Sequence, residues 1–125
     1  MLSLQMSSND GCAVLRLRGP MCSVDDGDSA SAAIALVGFE DHLVLDLRAV
    51  DRLSPVCART IGATILDRLA LAETVVVCEQ ADVRMQLVLA EVDRIAPLVA
   101  TFEQAVGVLR VRTGGLVVHD ESRVA

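Results

Sequence analysis

The spacing of apolar and polar residues predicts two antiparallel strands at the start of the chain. Residues 2–6 alternate between the two classes, which is typical of a short edge strand. Residues 7–11 (SSNDG) have the composition of a turn. Residues 12–18 alternate again, so that one face of this strand would lie against a core and the other in solvent. The sequence therefore predicts a hairpin that ends at Gly19.

Helical and strand patterns alternate in the rest of the chain. The nearly continuous apolar run at residues 42–47 is typical of a central strand covered on both faces. Pro55 begins a helix with regularly spaced apolar residues. We predict further helices at residues 30–37, 82–92 and 102–109 and further strands at residues 74–78 and 97–100. This order predicts an α/β fold with a mixed sheet of about four to five strands and about four helices.

Two of these helices have an inward face that can be assigned from the sequence. For the helix that begins at Pro55, the predicted inward residues are Ala58, Ile61, Gly62, Ile65, Leu66 and Leu69. For the helix at residues 82–92, they are Val83, Leu87, Leu89 and Ala90.

Length and composition indicate one domain. The 125 residues are 53% hydrophobic, which suffices for a single core. We assign residues 1–112 to the domain and residues 113–125 to a C-terminal tail, because Gly114 and Gly115 interrupt the last helical pattern. No apolar run is long enough to span a bilayer and no export signal precedes the first strand, so we expect a cytoplasmic protein.

Charge and composition argue against binding of nucleic acid. The net charge is −6, and the eleven arginines are scattered along the chain, so that a phosphate backbone would be repelled. Two phenylalanines are the only aromatic residues, which leaves no stacking platform for single strands. The absence of lysine indicates GC-rich coding and a bacterial source.

We predict neither a catalytic residue nor a cofactor. Asp46, in the central strand, is interpreted as a carboxylate that accepts backbone N–H groups at a strand end, because no neighbouring histidine is identified that would support acid–base catalysis. His42 and His119 are far apart in the sequence and are interpreted as surface residues. The four cysteines contain no C-x-x-C pair, so no metal site is predicted.

In the order and spacing of its elements, the chain resembles the STAS family, the domain of bacterial anti-sigma-factor antagonists and of sulfate-transporter tails. The resemblance covers about residues 2–112 and rests on VLRLRG at residues 14–19, LVLDL at 43–47 followed by Val50, the loop and helix at 53–71, VVVC at 75–78 and ATFEQAV at 100–106. It implies the STAS fold and a regulatory protein that is not an enzyme.

The resemblance locates a loop where the family carries its regulatory switch. In the family this loop usually reads Asp-Ser-Ser/Thr-Gly, and one of its hydroxyls is phosphorylated by the anti-sigma kinase. Here the aligned residues are Ser54, Pro55, Val56 and Cys57. Val56 occupies the acceptor position, or Pro55 if the register shifts by one residue, and neither has a hydroxyl. The standard phosphorylation switch is therefore not expected.

Ser54 and Pro55 also have a structural interpretation. Serine at the N-cap accepts a hydrogen bond from a helix N–H, and proline is well tolerated at the first helical position. The alternative is that Ser54 is a displaced phosphate acceptor, since a phosphate would interact favourably with the helix dipole.

The resemblance further implies a surface for docking a partner, built from residues 19–24 and 51–59. The predicted partner-binding residues are Gly19, Pro20, Met21, Cys22, Ser23, Asp51, Ser54, Pro55, Val56, Cys57 and Arg59. Met21 and Val56 are its apolar members, and apolar side chains on loops favour contact with another protein. The alternative is that either side chain packs into the core.

Three cysteines are predicted at this same edge of the sheet, namely Cys22, Cys57 and Cys78. Cys57 would lie at the third position of its helix, where free N–H groups favour a thiolate. A redox switch or a disulfide is one interpretation. The other is that these cysteines are small buried core residues.

The resemblance implies binding to an anti-sigma factor of the kinase-like ATPase fold, or to another regulatory protein, and thereby control of transcription. The alternative is a non-catalytic STAS subunit of a transporter ATPase or of a signalling scaffold. A small-molecule or nucleotide sensor is a third interpretation, for which no motif is present. Membrane insertion is not expected, and a homodimer is left open.

Overall fold

The computed structural model describes residues 2–9, 12–38, 41–70 and 72–113. The strands are β1 (Ser3–Asn9), β2 (Cys12–Arg18), β3 (His42–Ala49), β4 (Thr74–Val77) and β5 (Leu98–Val99). The helices are α1 (Val24–Ala35), α2 (Pro55–Arg68), α3 (Ala81–Leu89) and α4 (Phe102–Thr113), with a short 3₁₀ turn at Val92–Arg94. The predicted order of strands and helices is confirmed.

The five strands form one mixed sheet in the order β1-β2-β3-β4-β5. β1 and β2 are an antiparallel hairpin, whereas β2 to β5 are parallel to one another. Each parallel connection passes through a helix, which brings the carboxyl ends of β2, β3 and β4 to one edge of the sheet. This edge carries the loops described below.

Two hydrophobic cores lie on opposite faces of the sheet. The larger includes Leu15 and Leu45 of the sheet and Ile61 of α2, together with residues of α1 and α3. The smaller lies under α4, where Phe102 and other α4 residues pack on valines of β2, β3 and β4. Because α4 covers this second face, the central strands can be apolar on both sides.

The second core corrects one prediction for β2. The alternating pattern predicted that only one face of this strand is buried, but Val14 on the other face is also buried. It packs in the core under α4, which returns to this side of the sheet at the end of the described chain. A local pattern in β2 cannot indicate a helix that lies almost ninety residues later.

The helix boundaries differ from the predicted ones where capping decides them. α1 begins at Val24 instead of residue 30, because Ser23 and Asp26 form a capping box at its start. α3 ends at Leu89, earlier than predicted, and Leu89 is exposed. The predicted strand at residues 97–100 is the two-residue β5.

Two predicted inward residues of α2 are also wrong. Leu66 and Leu69 are exposed, whereas Arg68 is buried and donates from its guanidinium to the carbonyl of Asp41. The buried face of α2 therefore continues from Ile65 to Arg68. A buried face that continues to Arg68 fits the helical period as well as one that continues to Leu66 and Leu69. Only the contact between Arg68 and the loop before β3 decides between them.

Helix α4 ends at Thr113, so that residues 114–125 of the predicted tail lie outside the described residues, and the boundary at residue 112 stays a prediction. Among the helices of the described chain, none is both long enough and apolar enough to cross a bilayer.

Phe102 is the aromatic anchor of the smaller core, so its truncation tests the attachment of α4. Phe102 is buried, whereas Val111 on the same helix is 86% exposed. We expect Phe102→Ala to lower the free energy of unfolding by about 3 kcal/mol or more, because it leaves a cavity against the sheet. Val111→Ala, the control, should change it by less than about 0.5 kcal/mol. Urea denaturation measures both, and similar losses would contradict this account of the core.

Candidate functional site

The loops that follow β2 and β3 are joined by backbone hydrogen bonds. The Gly19 N–H donates to the Ala49 carbonyl over 3.0 Å, the Met21 N–H donates to the Arg52 carbonyl over 2.8 Å, and the Ser54 N–H donates to the Met21 carbonyl over 2.8 Å. The two hydrogen bonds of Met21 form a parallel bridge with Leu53 beyond the ends of the strands. The two loops are therefore held in a fixed relation at one edge of the sheet.

Gly19 makes the departure from β2 feasible. Its φ is 104°, in a region that a residue with a Cβ rarely adopts. The β2–β3 register also shifts between Arg16 and Arg18, immediately before this residue. The chain can then turn out of the strand and still pair with the loop after β3.

The first loop leads into the capped start of α1. The Ser23 hydroxyl accepts from the Asp26 N–H over 3.1 Å, and the Asp26 carboxylate accepts from the Ser23 N–H over 3.2 Å. The same carboxylate accepts from the Cys22 N–H over 3.1 Å. The backbone hydrogen bonds from Ser23 and then Cys22 hold the pKa of Asp26 below its ordinary value. A carboxylate at this position also stabilises the positive end of the helix.

The second loop leads into the capped start of α2, as predicted. The Ser54 hydroxyl accepts from the Cys57 N–H over 3.2 Å, and Pro55 occupies the first turn. The Cys57 thiol in turn donates to the Ser23 carbonyl over 3.2 Å. This contact links the two helix starts directly.

We define the docking surface as the exposed residues at these two loops and helix starts: Cys22, Ser23, Val24, Asp51, Arg52, Pro55, Val56 and Arg59. Val24 and Val56, each in the first turn of its helix, are 61% and 39% exposed. The sequence range 19–24 includes Val24 without singling it out, because a lone valine after a serine has no diagnostic pattern. Arg52 likewise lies within the predicted range 51–59.

Met21 and Cys57 were predicted to bind a partner, and their side chains are fully buried. Met21 belongs to the larger core, because the bridge to Leu53 turns it inward. Cys57 packs beside Gly27 of α1, whose backbone comes close to the thiol. Both residues therefore support the docking surface from beneath and cannot contact a partner directly in this conformation. Gly19, Pro20 and Ser54 are partly buried at its margin.

The cysteines do not form a reactive cluster in this conformation. Cys22, Cys57 and Cys78 are all free thiols, and the last two are buried. Burial raises the pKa of Cys78, against an opposing effect of Arg84. Burial, and next to it the charge of Asp41, also raises the pKa of Cys12 to about 11. These environments favour the interpretation of the buried cysteines as core residues.

Asp46 has stronger partners than the predicted ones. Its carboxylate accepts the Arg48 backbone N–H over 3.1 Å, in line with the prediction, but also the Arg48 guanidinium over 2.7 and 3.0 Å. Arg16 of β2 makes a further ion pair with it at 3.3 Å. The register that pairs Arg16 with Asp46 could not be derived from the sequence of either strand alone.

His42 accepts from the Glu73 N–H over 2.9 Å.

Within the described residues, no group of three or more histidine, cysteine, aspartate or glutamate side chains is arranged to hold a metal ion. The geometry at the sheet edge is instead that of a rigid, partly apolar surface.

Comparison with known proteins agrees with this geometry. The family model of the STAS domain matches residues 3–105. The crystal structure of an anti-sigma factor antagonist from Mycobacterium paratuberculosis is similar to this chain with a TM-score of 0.78 and 25% identity, over 88% of this chain and 95% of that one. A search of curated proteins finds no match.

Two further solved structures share the fold at lower identity. The anti-sigma factor antagonist SpoIIAA in its unphosphorylated form aligns with a TM-score of 0.66 and 17% identity, over 94% of this chain and all of that one. A putative anti-sigma factor antagonist from Thermotoga maritima aligns with a TM-score of 0.73 and 14% identity, over 86% of this chain and 94% of that one.

The burial of the cysteines predicts selective reactivity. In the native protein at pH 8, a thiol reagent should modify Cys22 rapidly and leave Cys12, Cys57 and Cys78 unmodified. In denaturant all four should react. Peptide mass spectrometry after timed quenching identifies the modified residues. Rapid native modification of Cys57 would contradict the buried inter-helix contact described here.

Proposed function

The chain belongs to the STAS domain family, and from this premise we propose that it is an anti-sigma-factor antagonist that binds a kinase-like anti-sigma factor through the docking surface. It acts by contact and has no catalytic role. Binding would release the sigma factor and so regulate transcription. The similarity to the mycobacterial antagonist supports this class of function.

The observation that carries the proposal is the exposure of Val24 and Val56 on two helix starts that are held together. Interface centres are depleted in charge and enriched in apolar contact, with polar residues at the rim. Here Asp51 and Arg59 lie on either side of Val56 in the chain and are exposed. Because the loops are fixed by backbone hydrogen bonds, little conformational entropy would be lost on binding.

We propose further that release of the partner does not depend on phosphorylation of this loop. Val56 has no hydroxyl, and the two hydroxyls within residues 54–60 are engaged. Ser54 caps α2, and the Thr60 hydroxyl donates to the Val56 carbonyl over 3.0 Å. A phosphate on Ser54 would have to replace the cap, which contributes about 1 kcal/mol. Partner concentration, or modification of the exposed Cys22, would then control the complex.

A charge at position 56 should disrupt binding without disturbing the fold. We expect Val56→Asp to weaken binding of the purified kinase-like anti-sigma factor at least about tenfold, because an unpaired carboxylate would be desolvated in the interface. An acidic residue in the first turn of α2 is compatible with the helix dipole. Isothermal titration calorimetry gives the dissociation constants.

Val88→Asp is the matched control, since Val88 is 45% exposed on α3 and lies outside the docking surface. It should bind like the parent chain. If both substitutions weaken binding of the anti-sigma factor equally, or if neither weakens it, the assigned surface is contradicted. If the parent chain binds a transporter ATPase and no anti-sigma factor, the second interpretation, a non-catalytic subunit, is supported instead.

Introducing a hydroxyl tests the missing phosphorylation switch. We expect the parent chain to remain unmodified at residues 54–60 when it is incubated with ATP and the cognate anti-sigma kinase. Val56→Ser should become phosphorylated at position 56, because this position aligns with the family's acceptor and its side chain is exposed in the first turn of α2. Mass spectrometry locates the phosphate, and phosphorylation of Ser54 or Thr60 in the parent chain would count against the proposal.

A further inference from the structure

The face of the sheet that bears α4 has a second, polar region outside the helix. α4 covers this face near the start of β2, where Cys12 and Val14 lie in the smaller core. Towards the end of β2 the face is open and forms a depression of about 690 Å³. Small-molecule sites commonly have volumes in the range of about 300–1,000 Å³.

Three arginines line this depression. Arg16 and Arg18 project from β2, and Arg48 projects from the end of β3. The strand register places Gln5 opposite Arg16 and Ser3 opposite Arg18, so that neutral polar residues complete the β1 side. Arginine is well suited to bind phosphate and carboxylate groups, because its planar fork of N–H donors can bind two oxygens at once.

Asp46 holds two of these arginines in place. It is only 4% exposed, and its carboxylate is paired with Arg16 and Arg48 at 3.3 and 2.7 Å. The guanidinium groups of Arg16 and Arg48 therefore screen the negative charge of Asp46 from a ligand in the depression. A buried carboxylate that fixes two arginines reduces the side-chain entropy that a ligand would otherwise have to offset.

The local charge is the reverse of that of the whole chain. Three guanidinium groups face two carboxylates, those of Asp46 and Glu79, which leaves one net positive charge in the depression. The chain as a whole has a net charge of −6. The lining of the depression therefore favours an anion relative to the average of this acidic surface.

We propose that this depression binds a small polyvalent anion with phosphate or carboxylate groups. The ligand would interact with Arg16, Arg18 and Arg48 and with the polar groups of Ser3 and Gln5. The site lies at the carboxyl ends of β2 and β3, where α/β sheets commonly bind ligands, and Arg18 directly precedes Gly19 of the first loop. It shares no residue with the docking surface, and the proposal does not depend on the proposed partner.

The test uses the full chain alone, with inorganic phosphate and citrate as probes at constant ionic strength. We expect saturable ¹H–¹⁵N chemical-shift changes in β1, β2 and β3 with at least one probe. The two probes distinguish a phosphoryl ligand from a carboxylate ligand. Absence of saturable changes with both would overturn the proposal.

Arg18→Gln is the informative variant, because Arg18 is exposed and Asp46 keeps both of its partners. It should raise the dissociation constant roughly fivefold through the loss of a charge-assisted hydrogen bond. Arg94→Gln, which removes an exposed arginine paired with Glu91 elsewhere, should leave the constant unchanged. Equal effects of the two substitutions would show a general charge effect and overturn the assignment of a site.

Discussion

The backbone contacts between the loops after β2 and β3 are the constraint on which the account of the site depends. The hydrogen bonds of Met21 with Arg52 and Ser54 extend the parallel pairing beyond the strands. They turn the Met21 side chain into the core and bring the starts of α1 and α2 together, where the Cys57 thiol closes the contact with Ser23. A surface built in this way needs no ordering before it meets a partner.

The same constraint explains why this edge of the sheet is suited to contact. The helix N–H groups at the start of α2 are partly satisfied by Ser54, and the exposed side chain in this first turn, Val56, has no hydroxyl. The remaining exposed groups are apolar side chains with a few charges beside them.

The sequence was sufficient for features that depend on local physics. The strand pattern at residues 42–47, the proline at the start of α2 and the cap by Ser54 follow from neighbouring residues, and each is confirmed. For Met21 and Cys57 the sequence left burial and partner contact as alternatives, and the burial of Val14 was not predicted, because each depends on segments far away in the chain. The grouping of Arg16, Arg48 and Asp46 required the β2–β3 register, which no pattern within one strand specifies.

Hydrogen–deuterium exchange of the chain, alone and in complex with the proposed partner, a purified kinase-like anti-sigma factor, tests the central claim most directly. The account predicts that protection on binding is confined to peptides that contain residues 19–26 and 51–60, at the starts of α1 and α2. Protection confined to α3 or α4, with the two loops unchanged, would contradict it.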